Sequence, residues 1–323
     1  MTDVDELVQA VRTGSRRAIG RAITAVESGG ATGRAVLAAA SAHAGGAMRL
    51  GITGPPGVGK STLISALVTA RRSAGQTVAV VSVDPTSPFS HGAVLGDRIR
   101  LVDHFTDPGV FIRSMASRGQ LGGVSLGTAS AVTVLEAAGF DIVIVETVGA
   151  GQNEVEIRSI TDTVVLVLMP GSGDGVQAIK AGVMEIPDVL VVNKADHPAA
   201  ALLRTELRAA MRLIPHDGWQ VPICETQANT GTGIDELWRA VLAHRTSLGD
   251  GGLRARRTEG MRSRLRSMAL ARLARQLDAA CPSSLLDDLS SQVVGGESAP
   301  DDAVDRMLSG FALGDDAGAN PDR

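Results

Sequence analysis

Three short stretches hold side chains whose types and spacing could do chemistry. The first is GPPGVGKST, in which Gly54, Gly59, Lys60 and Ser61 fill the pattern GxxxxGK[ST]. Glycines there let backbone N–H groups turn inward around phosphate oxygens, and a helix opening at the loop adds a favourable dipole. Lys60 would reach the β- and γ-phosphates, and Ser61 would hold Mg²⁺. Gly54, Pro55, Gly57, Val58, Gly59, Lys60, Ser61 and Thr62 are the expected nucleotide phosphate site, with Lys60 also a catalytic candidate. The plain alternative, a Gly-rich turn, is disfavoured by an apolar strand before the loop and a helical pattern after it.

The second stretch selects the base. VLVVNKAD places Asn193, Lys194 and Asp196 at the end of a later strand, in the NKxD arrangement of guanine-nucleotide proteins. Asp196 can accept hydrogen bonds from the ring N–H and the exocyclic amine of guanine, a pair of donors that adenine lacks. Lys194 can lay its stem along the base, and Asn193 can tie this loop to the phosphate site. Farther on, ETQANTGTGIDEL supplies Gln227 and the small Ala228, whose backbone N–H could meet the guanine oxygen. Four residues in a surface loop would mean little alone. Following a phosphate loop in chain order, at a strand's carboxyl end, they favour guanine over adenine.

Acids make the third group. Asp84 ends a strand in VSVDPTSP, Asp97 sits in GAVLGDRIRL, and Glu146 ends a strand in DIVIVETVGAGQNE. Carboxylates at the sheet's carboxyl edge can hold Mg²⁺ or its waters, or position an attacking water. Gly149, three residues after Glu146, could sense a γ-phosphate through its N–H and couple nucleotide state to a movable loop. One of the three acids could instead cap a helix or pair with Arg98 or Arg100.

These residues need a scaffold, and the hydrophobic pattern supplies one. MRLGIT, TVAVVSVD, VFIRSM, DIVIVET, TVVLVLMP, DVLVVNKAD and VPICET are short β-branched runs separated by helix-length segments. Continuous apolar strands of this kind indicate a mostly parallel sheet covered by helices on both faces, the α/β architecture of P-loop NTPases. Residues 1–46 read as an N-terminal helical extension, with Leu7, Val8 and Val11, then Ile19, Ile23 and Val26, at helical spacing. The P-loop domain is expected over 47–247 and a C-terminal helical arm, crowded with arginines, over 248–312. The Gly/Asp-rich end, 313–323, is expected to be disordered.

Bulk numbers exclude several classes. A net charge of −4 gives no reason to expect a nucleic-acid binder. Two distant cysteines, Cys224 and Cys281, suit a reducing cytosol and make neither a disulfide scaffold nor a CxxC metal site. No apolar run approaches the ~20 residues of a membrane span, and the acidic start is no signal peptide, so the chain reads as cytoplasmic. The six histidines are scattered, without ligand spacing to a cysteine.

Together the motifs resemble the methylmalonyl-CoA mutase-associated GTPases of the MeaB type, also known as arginine/ornithine transport-system kinases. The similarity rests on GPPGVGKST, SVDPTSPFSHGAVLGDRIRL, FIRSMASRGQLGGVS, DIVIVETVGAGQNEVEI, PGSGDGVQAIKAGVMEIPDVLVVNKAD and GTGIDELW, and covers roughly 14–247. His91, Ala150 and Asn153 depart from the family's usual residues. The resemblance implies a GTPase chaperone that gates cofactor loading and protects an adenosylcobalamin-dependent acyl-CoA mutase. It further implies that Ser61 and Asp97 serve Mg²⁺, that Glu146 assists water attack, and that the chain is a homodimer with the arginine-rich segment 248–312 as its dimerisation arm. Segments 85–97, 147–157 and 171–180 would be switches, with Gln152, Glu154, Asp174, Gln177 and Lys180 as residues that contact the nucleotide side or the partner. Lys180 stands out because the chain has only three lysines among 31 Lys and Arg. A cobalt-ligating DxHxxG pattern is absent, so any cobalamin belongs to the partner. A nickel-insertion maturation GTPase and a true kinase are the alternatives; the first lacks a His/Cys cluster, and nothing visible forms an acceptor pocket for the second.

Overall fold

The computed structural model describes residues 3–84, 98–116, 126–147, 152–171, 187–213 and 218–309. Seven strands form one sheet: β1 Met48–Thr53, β2 Val78–Asp84, β3 Val110–Ala116, β4 Ile142–Thr147, β5 Thr163–Leu168, β6 Val189–Asn193 and β7 Ile223–Thr226. Their order is β3-β2-β4-β1-β5-β6-β7, and every pairing is parallel. Each of the seven apolar runs read from the sequence is one of these strands. All strand carboxyl ends therefore lie along one edge.

The helices are α1 Asp3–Arg12, α2 Arg16–Ser28, α3 Gly30–Ser41, α4 Lys60–Ser73, α5 Leu126–Ala137, α6 Gln152–Ile160, α7 Ala200–Met211, α8 Ile234–Ala280, α9 Ser283–Val294 and α10 Pro300–Ser309. Strand side chains alternate between the faces of a sheet. Ile142 and Ile144 of β4 face the core formed with α4 and the start of α8, while Val143 and Val145 face the one formed with α2, α3 and α5. The N-terminal helices thus share a core with the sheet: Ile19 and Ile23 of α2 are buried with Val132 and Leu135 of α5. Leu203, Leu207 and Met211 of α7 cover Leu166, Leu168, Leu190 and Val192.

Two compact units divide the chain, Met1–Arg262 and Ser263–Arg323. α8 carries a break at Gly249, whose φ of 55° and ψ of −177° interrupt the helical backbone. In the second unit α9 and α10 pack on each other, and Arg306 donates to the side chain of Gln292. Among the described residues no helix is long and apolar enough to cross a membrane.

Candidate functional site: a phosphate loop joined to a base-reading loop

The chain leaves β1 at Thr53 and enters α4 at Lys60. Two glycines make that turn possible. Gly54 has a φ of 144°, and a Cβ there would lie 2.2 Å from the Val167 carbonyl oxygen of β5. Gly59 has a φ of 94°, and a Cβ there would lie 2.5 Å from Asn193 Nδ2. Gly59 also occupies the N-cap position of α4 without any side-chain cap, so the first N–H groups of α4 have no cap competing with a phosphate. Lys60 is buried, and its Nζ donates to the carbonyls of Gly54 at 2.8 Å and Pro55 at 2.9 Å, spanning the loop.

Parity on the sheet brings the acid in. Glu146 follows Ile142 and Ile144 on the same face, the face that carries α4, and Ser82 follows Val78 and Val80 on that face of β2. Ser61, the second residue of α4, donates from Oγ to Glu146 Oε1 at 3.0 Å. Ser82 Oγ donates to Glu146 Oε2 at 3.2 Å, as the register pairing Ser82 with Glu146 requires. Glu146 and both serines are buried. Next to them Thr147 Oγ1 donates to Thr53 Oγ1 at 2.9 Å, linking the ends of β4 and β1.

This pair tests the fit of Mg²⁺. A hydroxyl and a carboxylate in contact, both hard oxygen donors beside a phosphate loop, suit a cation that takes one or two protein groups and fills its remaining positions with water and phosphate. The described residues contain no larger cluster of metal-ligating side chains.

On the other side of the loop Asn193 ends β6. Its Nδ2 donates to the Val58 carbonyl at 2.8 Å, and its Oδ1 accepts from Thr226 Oγ1 at 3.0 Å and from the Ala228 N–H at 3.3 Å. One side chain therefore ties together the phosphate loop, the end of β7 and the turn that follows it. Lys194 is the one non-glycine residue at positive φ, 56°, among the described residues. Such backbone is costly for a side chain other than Gly, Asn or Asp, and strain of this kind gathers at functional sites. It aims Lys194 Nζ back to the Gly57 carbonyl at 3.3 Å and Met169 Sδ at 3.2 Å. Asp196 is exposed beside this loop, which Ala195 anchors by donating its N–H to the Thr226 carbonyl. Gln227 pairs with Thr232 through the backbone, closing the turn that presents Ala228.

The structure thus brings together the loop Gly54–Thr62, Glu146, Asn193, Lys194, Asp196, Gln227 and Ala228. Asp84 is the last residue of β2, and Gln152 and Glu154 lie in α6, but their side chains are outside the description. Asp97, Gly149, Asp174, Gln177 and Lys180 lie outside the described residues. Sequence reasoning missed Ser82 and Thr226, which hold Glu146 and Asn193. The signal for Ser82 was available: it shares strand parity with two core-facing valines, where a hydroxyl needs a partner.

A parallel sheet with a glycine-rich turn between its central strand and a covering helix is the P-loop NTPase fold. The chain belongs, more narrowly, to the MeaB family of GTPases, whose model, described as methylmalonyl Co-A mutase-associated GTPase MeaB, matches residues 19–281. It is 44% identical to a Pyrococcus horikoshii protein classed by name among GTPases, over 95% of this chain and 98% of that one. It is 36% identical to the Caenorhabditis elegans protein named methylmalonic aciduria type A homolog, mitochondrial, over 80% of this chain and 70% of the other. The crystal structure of an LAO/AO transport system kinase superposes with a TM-score of 0.73 at 28% identity, covering 96% of this chain and 98% of the other.

Proposed function

We propose that this chain is a Mg²⁺-dependent GTPase whose nucleotide cycle times the loading and protection of an adenosylcobalamin-dependent acyl-CoA mutase, with methylmalonyl-CoA mutase the first candidate. The observation that carries the nucleotide reading is the bridge from Asn193 to Val58, which fixes an NKxD loop against a phosphate loop. Support for the mutase comes from the family and from the relative named for methylmalonic aciduria.

In this reading backbone N–H groups of the loop and the α4 N-terminus hold the phosphates, and Lys60 moves from its carbonyls onto the β- and γ-oxygens. Ser61 and Glu146, with Asp84 and Asp97 as further candidates, hold Mg²⁺, which supplies charge neutralisation to the phosphates. Glu146 also orients the attacking water through its carboxylate. Lys60 stabilises the charge that builds up as the terminal phosphoryl leaves. Asp196 reads guanine, and Lys194 covers it. The mutase, not this chain, carries the cobalamin.

The chain would act as a cytoplasmic homodimer joined through the second unit. There Leu265, Met268, Leu270 and Leu273 of α8 are exposed in the single chain and suit burial against a second copy. Nucleic acid and membrane have no part in this reading.

The test is GTP hydrolysis by the purified chain, alone and with a panel of cobalamin-dependent mutases. Stimulation by one mutase, with complex formation, is the expected result. Lack of both with every mutase would refute the partnership, and transfer of labelled phosphate to a protein acceptor would refute simple hydrolysis.

A further inference from the structure

α6 lies between two places where a neighbouring backbone comes unusually close. On one side is Gly51 of β1, three residues before Gly54. A Cβ at Gly51 would lie 2.9 Å from Ile157 Cδ1 and Cγ1 of α6 and from Thr161 Oγ1 just beyond its end. On the other side is Gly260 of α8, where a Cβ would lie 2.0 Å from the Ser159 carbonyl oxygen. At Gly260 the obstacle is backbone, so a small residue is obligatory there; at Gly51 the packed Ile157 side chain fills the space between α6 and β1.

Polar contacts reinforce the second junction. Arg257 donates from Nε to Asp162 Oδ1 at 2.8 Å and from Nη2 to Oδ2 at 2.7 Å, a two-pronged pairing with a fully buried carboxylate. The same guanidinium donates to the carbonyls of Gly45 and Ala47, and Asp162 accepts from the Arg49 N–H of β1. Arg256 donates from Nε to the Thr161 carbonyl at 3.3 Å and grips Asp188 at 2.9 and 2.6 Å. Residues 256–260 are thus fastened to the end of α6 and to the starts of β1 and β6.

We infer that Gly260 and Arg257 are positioning residues for the nucleotide site, acting through α6. α6 follows β4, which ends at Glu146 and Thr147, and rests on β1, which runs into the phosphate loop. A displacement of α8 against Ser159 must be taken up by α6, and through Ile157 by β1. Thermodynamic linkage makes the coupling reciprocal: a nucleotide that shifts α6 shifts residues 256–260 equally in free energy. The inference rests on the GTPase reading of the site.

Gly260→Ala tests it, because the new methyl meets backbone that cannot rotate away. The expected result is an about fivefold or larger change in the ratio of affinities for a non-hydrolysable GTP analogue and GDP, with a lowered kcat. Gly251→Ala is the control on the same helix, since a Cβ there meets nothing within 4 Å; it should leave both unchanged. Should Gly260→Ala fail to fold, Arg257→Gln, which removes the fork and keeps the stem, is expected to move the same ratio in a soluble protein. In the unaltered chain, hydrogen exchange should change in α6 and in 256–260 together between the two nucleotides. A lowered melting temperature with an unmoved ratio, or exchange that changes in α6 alone, would overturn the coupling. An unaltered chain that neither binds nor hydrolyses GTP would instead overturn the reading on which the coupling rests.

Discussion

Asn193 Nδ2 donates to the Val58 carbonyl across 135 residues of sequence, at 2.8 Å. The bond joins the loop proposed to read the base to the loop proposed to hold the phosphates, so their spacing is fixed within the fold itself. Pre-set spacing lowers the ordering cost of binding. In Asn193→Ala, the Val58 carbonyl, the Thr226 hydroxyl and the Ala228 N–H all lose this partner. Calorimetry should show GTP and GDP affinities falling together, by about 1–3 kcal/mol. A loss confined to one nucleotide would contradict a purely positional role.

Asp196 should decide the base. Asp196→Asn replaces an acceptor with an amide that matches xanthine better than guanine. Competition binding should show the preference for GTP over XTP reduced by at least about a hundredfold, the scale on which a mispaired polar group is rejected. Unchanged preference would remove Asp196 from the base site.

Glu146 separates chemistry from binding. Glu146→Gln keeps the shape and can accept from one serine while donating to the other, whose hydroxyl turns to accept, but it loses the charge. Single-turnover hydrolysis should slow by about 10²–10⁴-fold, the usual contribution of a positioned acid or base, while GTP affinity at saturating Mg²⁺ stays within about threefold. Equal losses in both would place Glu146 in nucleotide binding alone.

His244 makes stability depend on pH. It is buried, with Thr163 Oγ1 2.9 Å from Nδ1, Asp188 3.3 Å from Nε2 and Trp219 edge-on against the ring. Burial chiefly holds its pKa below the ordinary imidazole value; Arg256 and Arg158 push the same way, while Asp188 and Asp162 oppose. The unfolded chain therefore binds the proton first. The associated stability is present above the unfolded pKa of about 6.5 and is lost as pH falls below it. Urea midpoints should hold between pH 7 and 8 and decline from about pH 6.5 towards 5. In His244→Gln that part of the decline should vanish, although the variant starts less stable.

Much of the molecule was legible from residue order. Each β-branched run became a strand because a sheet covered on both faces leaves such runs nowhere else to go. The phosphate loop and NKxD were legible because their chemistry is local, a few backbone groups and side chains at fixed spacing. The arginines of α8 were not. Their crowding on one helix gives no hint of partners within the fold, yet Arg256 and Arg257 are spent within the first unit on Asp188 and Asp162. An arginine's partner depends on which strand starts the topology brings beneath it, and no spacing along the helix encodes that. Gly260 was equally silent, since a glycine in a helix looks the same whether it meets solvent or a carbonyl.

The placement of β1 at the middle of the sheet has a consequence for synthesis. β2 and β3 are near in sequence and pair with each other, but β1 pairs only with β4 and β5. Its last residue is Thr53, and β4 begins at Ile142. At ribosomal speeds of ~5–20 residues per second, roughly 5–20 s pass before the strand that feeds the phosphate loop meets any neighbour. During that interval Leu50 and Ile52 of β1, both buried in the finished protein, have no strand beside them, while β2 and β3 can already cover part of α4. The strand made first therefore keeps both edges open until strands made later arrive on either side to close them.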